Sequence, residues 1–276
     1  MNEKILSNVL ICPICEGDLG VRGNSLVCEN GHCFDVAAAG YVNLASAKQA
    51  GGGDSKQLVS ARTAFLSAGY YERFSDEINA RAVKYARSGV IVDAGCGEGY
   101  YSNRVAVAAD ADVCGFDLSK FAVMAAAKAA KRNNINSTFA VAGIFDMPLC
   151  DGCADMVINL FAPCAAEEFS RVLKPGGHLI VAGAGERHLE GLKSVIYDNV
   201  TKNETRADLP DIPSLSLVES ARVSYNINIK QREHIMALFS MTPYYYRTSE
   251  SGRAALEATE TLETVVDFDI FVYKKA

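Results

Sequence analysis

The sequence predicts an α/β protein with a doubly wound, mostly parallel, seven-stranded β-sheet and a small cysteine-rich domain at its N-terminal end. From Gly89 onward, short β-branched segments alternate with segments of helical spacing, the pattern of strand–helix–strand units. Residues 1–44 contain four of the nine cysteines and few long apolar runs, which is typical of a small domain that needs a metal. With 276 residues, 49% of them hydrophobic, the chain can bury a large core.

Each predicted strand is a short apolar segment that ends close to a turn-forming or acidic residue. In chain order the seven strand segments are GVIVDAG, ADVCGFDLS, TFAVAGIF, DMVINLFAP, GGHLIVAGA, ARVSYNINI and TVVDFDIFVYKK. The predicted helices between them are YSNRVAVAA, FAVMAAAKAAKR, AAEEFSRVL, HLEGLKSVIYDNV and KQREHIMALF. The last two strands alternate apolar and polar residues and are separated by the helical segment KQREHIMALF.

Three regions follow from this pattern. Residues 1–44 form the cysteine-rich domain, and the glycine-rich stretch ASAKQAGGGD at 45–54 is a flexible joint. Residues 60–87 place apolar side chains at helical intervals, so we assign residues 45–88 to a hinge and a helical linker. Residues 89–276 then form the α/β domain.

Composition limits the functional classes. No apolar run approaches the roughly 20 residues needed to span a bilayer, and the N-terminus does not resemble a signal peptide, so we expect a cytoplasmic protein without a membrane partner. In that setting nine cysteines favour metal binding or burial over disulfides. The net charge of −6 argues against a generally basic nucleic-acid binder, although it does not exclude local basic patches.

Two ligand pairs in the N-terminal region predict a zinc site. Cys12 and Cys15 form a Cys-x2-Cys turn, and Cys28 with either His32 or Cys33 forms the second pair. Such turns direct two ligands at one metal, and the second pair completes a tetrahedron. The spacing alone leaves His32 and Cys33 as alternative fourth ligands.

A glycine-rich turn after the first strand predicts a cofactor site. Asp93, Gly95 and Gly97 belong to the sequence DAGCGEG, whose glycines have the spacing G-x-G-x-G and not the G-x-G-x-x-G of dinucleotide-binding proteins. S-adenosyl-L-methionine (SAM) has no pyrophosphate, so a short turn can approach it while carboxylates face its ammonium group. Asp117 ends the next strand, where a carboxylate can accept hydrogen bonds from ribose hydroxyls.

These motifs resemble those of class I, Rossmann-like SAM-dependent methyltransferases, and more narrowly the bacterial 23S rRNA (guanine-N1)-methyltransferases of the RlmA type. The resemblance is carried by CPIC, CENGHCFDVAAAGYVNL, GDS, ARTAFLSAGYY, DAGCGEGYYS, FDLSK, FAPC, LKPGGHLIVA, RHL and MTPY, in the family's order. It implies methyl transfer from SAM to N1 of a guanine in 23S ribosomal RNA, with SAM and Zn2+ as cofactors. A homodimer is one assembly that we consider.

The resemblance also implies residue roles. It selects His32 as the fourth zinc ligand, and the N-terminal domain is expected to recognise RNA. It places Tyr71, Tyr101, Ser102 and His188 at the cofactor, and it gives no role to Asn159.

The sequence says less about which residues bind the methyl acceptor and remove its proton. Glu98 and Asp117 are candidate bases, but cofactor binding explains both better, so no catalytic residue is assigned. Phe161 lies where class I enzymes usually meet their acceptor; it either stacks on an extruded base or packs in the core. Candidate RNA contacts are the positive stretch 51–92 and the tip of the zinc domain with Arg22 and Lys48. A third candidate is the tyrosine cluster, an aromatic and basic group formed by Tyr244, Tyr245, Tyr246 and Arg247, which suits stacking on unpaired bases.

Two other functions compete with RNA methylation. One is methylation of a small molecule, which the acidic net charge favours and the zinc domain disfavours. The other is a non-catalytic binding module with a methyltransferase fold, which the complete glycine loop and Asp117 disfavour.

Overall fold

The computed structural model describes residues 9–46, 53–199, 203 and 213–276. Lys48, most of the predicted joint at 45–54 and much of the segment 200–212 lie outside the described residues.

The N-terminal domain is a small three-stranded antiparallel sheet. Strands β1 (Leu19–Arg22) and β2 (Ser25–Cys28) form a hairpin, and β3 (Cys33–Asp35) pairs with the other edge of β2. Gly23, in the hairpin turn, has φ +61, a conformation that glycine adopts without strain. Leu19 and Leu26 are the apolar side chains that the hairpin buries.

The main sheet contains the seven predicted strands and an eighth. In spatial order it runs β10-β11-β9-β8-β5-β6-β7-β4, parallel from β4 to β9 and antiparallel at β11 and β10. The strands are β4 (Tyr41–Asn43), β5 (Val90–Ala94), β6 (Asp112–Asp117), β7 (Ser137–Val141), β8 (Ala154–Leu160), β9 (Leu173–Ala184), β10 (Leu215–Ile229) and β11 (Leu262–Lys275). The prediction of a mostly parallel sheet is therefore confirmed, and the structure adds that its last two strands are antiparallel.

Helices cover both faces of this sheet. In the described part of the chain they are α1 (Lys56–Ser67), α2 (Glu72–Ala86), α3 (Tyr100–Ala109), α4 (Lys120–Asn133), α5 (Ala166–Val172), α6 (Glu190–Ile196), α7 (Arg232–Ser240) and α8 (Glu250–Glu257). The helical stretch predicted for residues 60–87 is two helices, because the chain turns at Gly69, which has φ +84. This turn places Tyr71 at the start of α2.

The eighth strand connects the N-terminal domain to the main sheet. β4 pairs in parallel with β7, so residues 41–43 belong to the large sheet although the sequence assigns them to the zinc domain. A second attachment is a backbone bridge between Leu10 and Leu149, with Ile11 donating to the carbonyl of Pro148 at 3.0 Å. The apolar core of the N-terminal domain is thus continuous with one face of the main sheet.

The parallel strands β5 to β8 all end at the same edge of the sheet. In open parallel sheets ligands bind at this carboxyl edge, where the loops between strands and helices gather. No helix in the described part of the chain combines the length and the apolar character needed to cross a lipid bilayer.

Candidate cofactor and metal sites

A cavity of about 470 Å³ opens at the carboxyl edge of the sheet. Its walls come from the ends of β5, β6 and β8 and from α1 and α3. The cavity is lined by six of the eight residues that the sequence places at the cofactor: Tyr71, Asp93, Gly95, Gly97, Tyr101 and Asp117. Residues from distant parts of the chain therefore meet in one pocket.

The glycine loop lies directly against neighbouring segments. Gly95 and Gly97 have φ values of +91 and +53, in the left-handed region that favours glycine. A Cβ on Gly95 would lie 2.6 Å from the Cβ of Ala162, and one on Gly97 would lie 3.1 Å from the guanidinium of Arg62. Side chains at these two positions would therefore press on Ala162 and Arg62, which both line the cavity.

Asp117 holds the glycine loop from the neighbouring strand. Its Oδ2 accepts a hydrogen bond from the amide of Gly97 at 3.0 Å, and its Oδ1 accepts one from the amide of Ser119 at 2.7 Å. Burial raises the pKa of Asp117, and these two backbone hydrogen bonds oppose the increase. Asp117 therefore shapes the cavity as well as lining it.

Asp93 is a buried carboxyl at the end of β5. Its Oδ2 accepts a hydrogen bond from the hydroxyl of Ser102 at 2.5 Å, so Ser102 contacts Asp93 and is not itself among the residues lining the cavity. Burial raises the pKa of Asp93 to about 7, the negative charges of Asp117 and Glu98 add to the increase, and the Ser102 hydrogen bond opposes it.

We expect cofactor binding near pH 7 to release protons from Asp93. A positive ammonium group in the cavity favours the ionised carboxylate, so the raised pKa of about 7 falls and affinity decreases as pH drops below 7. Calorimetry in two buffers of different ionisation enthalpy measures the release. Asp93→Asn is the control without a proton to lose. Equal binding heats in both buffers for the unmodified protein would contradict this assignment.

Tyr101 has a polar group that a ligand could satisfy. It lines the cavity, its ring packs edge-on against Phe74, and its hydroxyl is buried without a hydrogen-bond partner among the described residues. An unpaired buried hydroxyl costs about 1–3 kcal/mol, so a polar ligand in the cavity is a physically reasonable partner. With four acidic side chains in the lining, the cavity suits the cationic and hydroxyl groups of SAM.

His188 lies one layer behind the cavity. Its ring is 6.2 Å from that of Tyr71 and 4.3 Å from that of Phe268, measured between centroids. Burial lowers the pKa of His188 to about 3, so the ring is neutral, and its Nδ1 accepts a hydrogen bond from the amide of Asp267 at 3.2 Å. His188 therefore supports the wall that Tyr71 forms and does not line the cavity.

Two polar residues at the site, Arg62 and Asn159, have no role assigned by the sequence. Arg62 on α1 donates to Glu98 and to Asp54, each at 2.5 Å, and all three side chains line the cavity. Asn159, at the end of β8, donates through Nδ2 to the carbonyls of Ala94 at 3.0 Å and Pro163 at 3.1 Å. The available signals were the position of Arg62 in the motif ARTAFLSAGYY and the presence of a polar residue in an apolar strand, and neither signal identifies a partner.

Asn159 ties the loop after β8 to the glycine loop. In that loop Phe161 has φ +58, which costs a residue with a side chain about 1–2 kcal/mol. Its ring packs on Phe268 at 4.7 Å and on Phe74 at 5.3 Å, but 43% of the residue stays exposed at the cavity. Phe161 is therefore both a core contact and an exposed aromatic face.

The predicted zinc ligands come together in the N-terminal domain. Sγ of Cys28 lies 3.3 Å from Nδ1 of His32 and 3.7 Å from Sγ of Cys15, while Sγ of Cys12 lies 3.5 Å from the same Nδ1. The four ligand atoms lie within 4.8 Å of one another, and Cys33 is exposed outside the group. Zn–S bonds of about 2.3 Å give tetrahedral edges of about 3.8 Å, so these donors fit zinc.

Comparison with known proteins agrees with both sites. A methyltransferase domain family matches residues 86–239, and the family "RlmA, N-terminal", a zinc ribbon, matches residues 10–49. The fold and the two sites define a SAM-dependent methyltransferase that carries an N-terminal zinc ribbon.

Curated relatives narrow the class further. The 23S rRNA (guanine(748)-N(1))-methyltransferase of Streptomyces fradiae is 39% identical over 195 residues, covering 69% of this chain and 68% of that protein. A Bacillus subtilis (strain 168) protein, named as a candidate 23S rRNA (guanine-N1)-methyltransferase, is 29% identical over an alignment of 289 positions that covers 100% of both chains. This chain belongs to the family of 23S rRNA (guanine-N1)-methyltransferases.

Proposed function

We propose that this enzyme transfers a methyl group from SAM to N1 of a guanine in 23S ribosomal RNA. The observation that carries the proposal is the combination, in one chain, of the acidic glycine-loop cavity and a zinc ribbon that matches the family "RlmA, N-terminal". Curated relatives named as 23S rRNA methyltransferases support it. The residues proposed to contact SAM are Tyr71, Asp93, Gly95, Gly97, Tyr101 and Asp117, with Ser102 and His188 supporting them. Zn2+ is proposed to be held by Cys12, Cys15, Cys28 and His32.

The chemistry assigned to the protein is mainly alignment. SAM supplies an electrophilic methyl group on its sulfonium. As the N1–C bond forms, the S–C bond breaks and the N1 proton leaves, so the guanine must be held in line with that bond. The cavity carboxylates are already engaged: Asp54 and Glu98 pair with Arg62, Asp93 accepts from Ser102, and Asp117 accepts two amides. We therefore assign no general base.

The loop after β8 is the proposed contact to the target base. Phe161 exposes an aromatic face at the cavity, on which an extruded guanine can stack. Asn159 fixes this loop relative to the glycine loop, so cofactor and acceptor are positioned by one side chain.

Replacing Asn159 by leucine is expected to reduce the turnover rate about tenfold or more while changing cofactor affinity less, because misplacing reacting groups by about 1 Å can cost a hundredfold. Leucine has a similar volume but cannot bond to Ala94 and Pro163. Single-turnover methylation and calorimetry with S-adenosylhomocysteine separate the two effects. Equal losses in both measurements would show that Asn159 serves only the cofactor site.

The proposed RNA surface lies away from the basic stretch 51–92. In the stretch 51–92, three basic side chains pair with carboxylates: Arg62, Arg81 and Lys84. These pairs neutralise much of the positive charge of the stretch. In the tyrosine cluster formed by residues 244–247, Tyr245 packs on Phe239, while Tyr246 is 79% exposed. Tyr246 is therefore the tyrosine of that cluster best placed to stack on an unpaired base.

The zinc ribbon is proposed to contribute to RNA capture. Its outer surface exposes Arg22 and the apolar side chains of Ile14 and Val21. Its backbone contacts with residues 148–150 hold this surface in a fixed position beside the methyltransferase domain.

Mapping the methylated base tests the proposed function. Purified protein is incubated with labelled SAM and unmodified 23S RNA, and reverse transcription is then run through the product. A methyl on guanine N1 blocks base pairing, so a strong stop at one guanine is expected. Label in RNA without a stop would place the methyl on another atom, and label only in small molecules would support the competing metabolite enzyme.

Location and assembly are further proposals. Ribosomal RNA as substrate supports a cytoplasmic enzyme. The homodimer stays a prediction, and light scattering coupled to size-exclusion chromatography measures the mass of the assembly directly.

A further inference from the structure

We propose that Arg62 is a positioning residue for the cofactor: by pairing with Asp54 and Glu98 at once, it locks the wall formed by residues 53–71 onto the glycine loop. The inference rests on the proposed function in one respect, namely that the cavity binds SAM. Arg62 lies in the motif ARTAFLSAGYY, but the family resemblance gives a role only to Tyr71 of that motif.

Arg62 joins two segments that are distant in the sequence. Its Nε donates to Oε2 of Glu98 and its Nη1 donates to Oδ2 of Asp54, both at 2.5 Å. The side chain of Glu98 is only 6% exposed, and that of Arg62 is 21% exposed, so water screens this pair weakly. A single guanidinium therefore bridges the start of the wall and the glycine loop.

The first residues of the wall, Gly53 and Asp54, also contact Ser119, which follows the end of β6. The hydroxyl of Ser119 donates to the carbonyl of Asp54 at 2.8 Å. Gly53, with φ +93, packs so closely that a Cβ there would lie 2.5 Å from backbone atoms of Ser119. Ser119 itself donates its amide to Asp117, so the wall meets the cavity next to a proposed cofactor residue.

The other end of the wall carries side chains that face the cavity. Leu66 on α1 and Tyr71 at the start of α2 both line it. The ring of Tyr71 packs edge-on against Phe65 at 5.0 Å, which connects its position to that of α1. Displacing α1 would therefore move one side of the cavity.

Charge explains why an arginine serves here. Four acidic side chains and a single basic one, Arg62, line the cavity among the described residues. Burial raises the pKa of Glu98, and the positive charge of Arg62 opposes this increase. Without Arg62, Asp54 and Glu98 lose the cation that holds them together, and the wall loses its ionic attachment to the glycine loop.

The chain offers a matched control for Arg62. Arg104 on α3 also pairs with two carboxylates, Glu72 and Asp76, and is 29% exposed, but it does not line the cavity. Arg104→Met removes a comparable pair of ionic contacts outside the cavity. The guanidinium of Arg104 also lies 5.6 Å from the ring centroid of Tyr100, a lining residue that is not among those proposed to contact SAM.

The test measures affinity and dissociation rate of S-adenosylhomocysteine, without RNA, for Arg62→Met, Arg62→Lys and Arg104→Met. We expect Arg62→Met to weaken binding roughly tenfold or more through faster dissociation, since charge-assisted hydrogen bonds are lost. Arg62→Lys is expected to recover part of the loss, and Arg104→Met to bind like the unmodified protein. In a Glu98→Gln background the effect of Arg62→Met is expected to shrink, because Arg62 acts through Glu98.

Three outcomes would overturn the proposal: unchanged affinity in Arg62→Met, an equal loss in Arg104→Met, or a loss in Arg62→Met that is the same in the Glu98→Gln background. Failure of the proposed function is distinguishable, because it appears as absent RNA methylation by an unmodified protein whose cofactor affinity is measured separately.

Discussion

Replacing Asp117 by alanine is expected to lower affinity for SAM about a hundredfold or more. The carboxylate accepts the amides of Gly97 and Ser119, and it is proposed to accept the ribose hydroxyls as well. Each hydrogen bond to a charged group contributes about 1.5–3 kcal/mol, so losing two of them costs about 3 kcal/mol or more, which is about a hundredfold in affinity. Calorimetric titration measures the change.

The control for this variant lies on the same strand. Asp112 begins β6, at the end away from the cavity, and its carboxylate accepts from Asn136. Asp112→Ala is expected to bind SAM normally. If both variants bind equally well, Asp117 has no part in the cofactor site.

Substituting Cys12 by serine is expected to remove zinc and to unfold the N-terminal domain. A structural zinc contributes about 10–16 kcal/mol in small zinc-finger peptides, far more than a three-stranded sheet of this size can supply alone. The zinc content measured by elemental analysis should fall from about one zinc per chain to none. Because this core continues into the main sheet, the unfolding temperature of the whole chain should fall too.

Cys33→Ser is the matched control for the metal site. Cys33 follows His32 directly but is exposed outside the ligand cluster. The Cys33→Ser protein is expected to retain zinc and to keep the thermal stability of the unmodified protein. A Cys12→Ser protein that keeps one zinc per chain would contradict the ligand assignment.

The sequence predicted all seven strands of the α/β domain because each is a short β-branched or alternating segment. It did not predict β4, whose three residues are too few to form a pattern and pair along their length only with β7. The sequence analysis also predicted α1 and α2 as one helical stretch, because the apolar spacing continues across Gly69. The helical backbone is interrupted there, since Gly69 has φ +84. Local patterns thus identified elements, and tertiary pairing decided their limits.

The same distinction applies to the candidate site. Gly95, Gly97 and Asp117 were predicted because the glycine turn is a local motif and a strand end places the carboxylate. Arg62 was missed because its partner Glu98 lies 36 residues away, and Asn159 because Ala94 lies 65 residues away. Such contacts arise only when separate segments meet at the sheet edge.

The short edge strand β4 bears on how the molecule is assembled and how it can be re-engineered. During synthesis the zinc ribbon emerges before the main sheet, but until β7 has been made much later its last strand pairs only through a bridge between Val42 and Val36. Metal can therefore fold the ribbon early, while its docking must wait for the sheet. For the same reason the ribbon is not a freely portable module: a chimaera would need a host whose outermost parallel strand accepts residues 41–43, and removing those residues would leave the edge of β7 open to pairing with other chains.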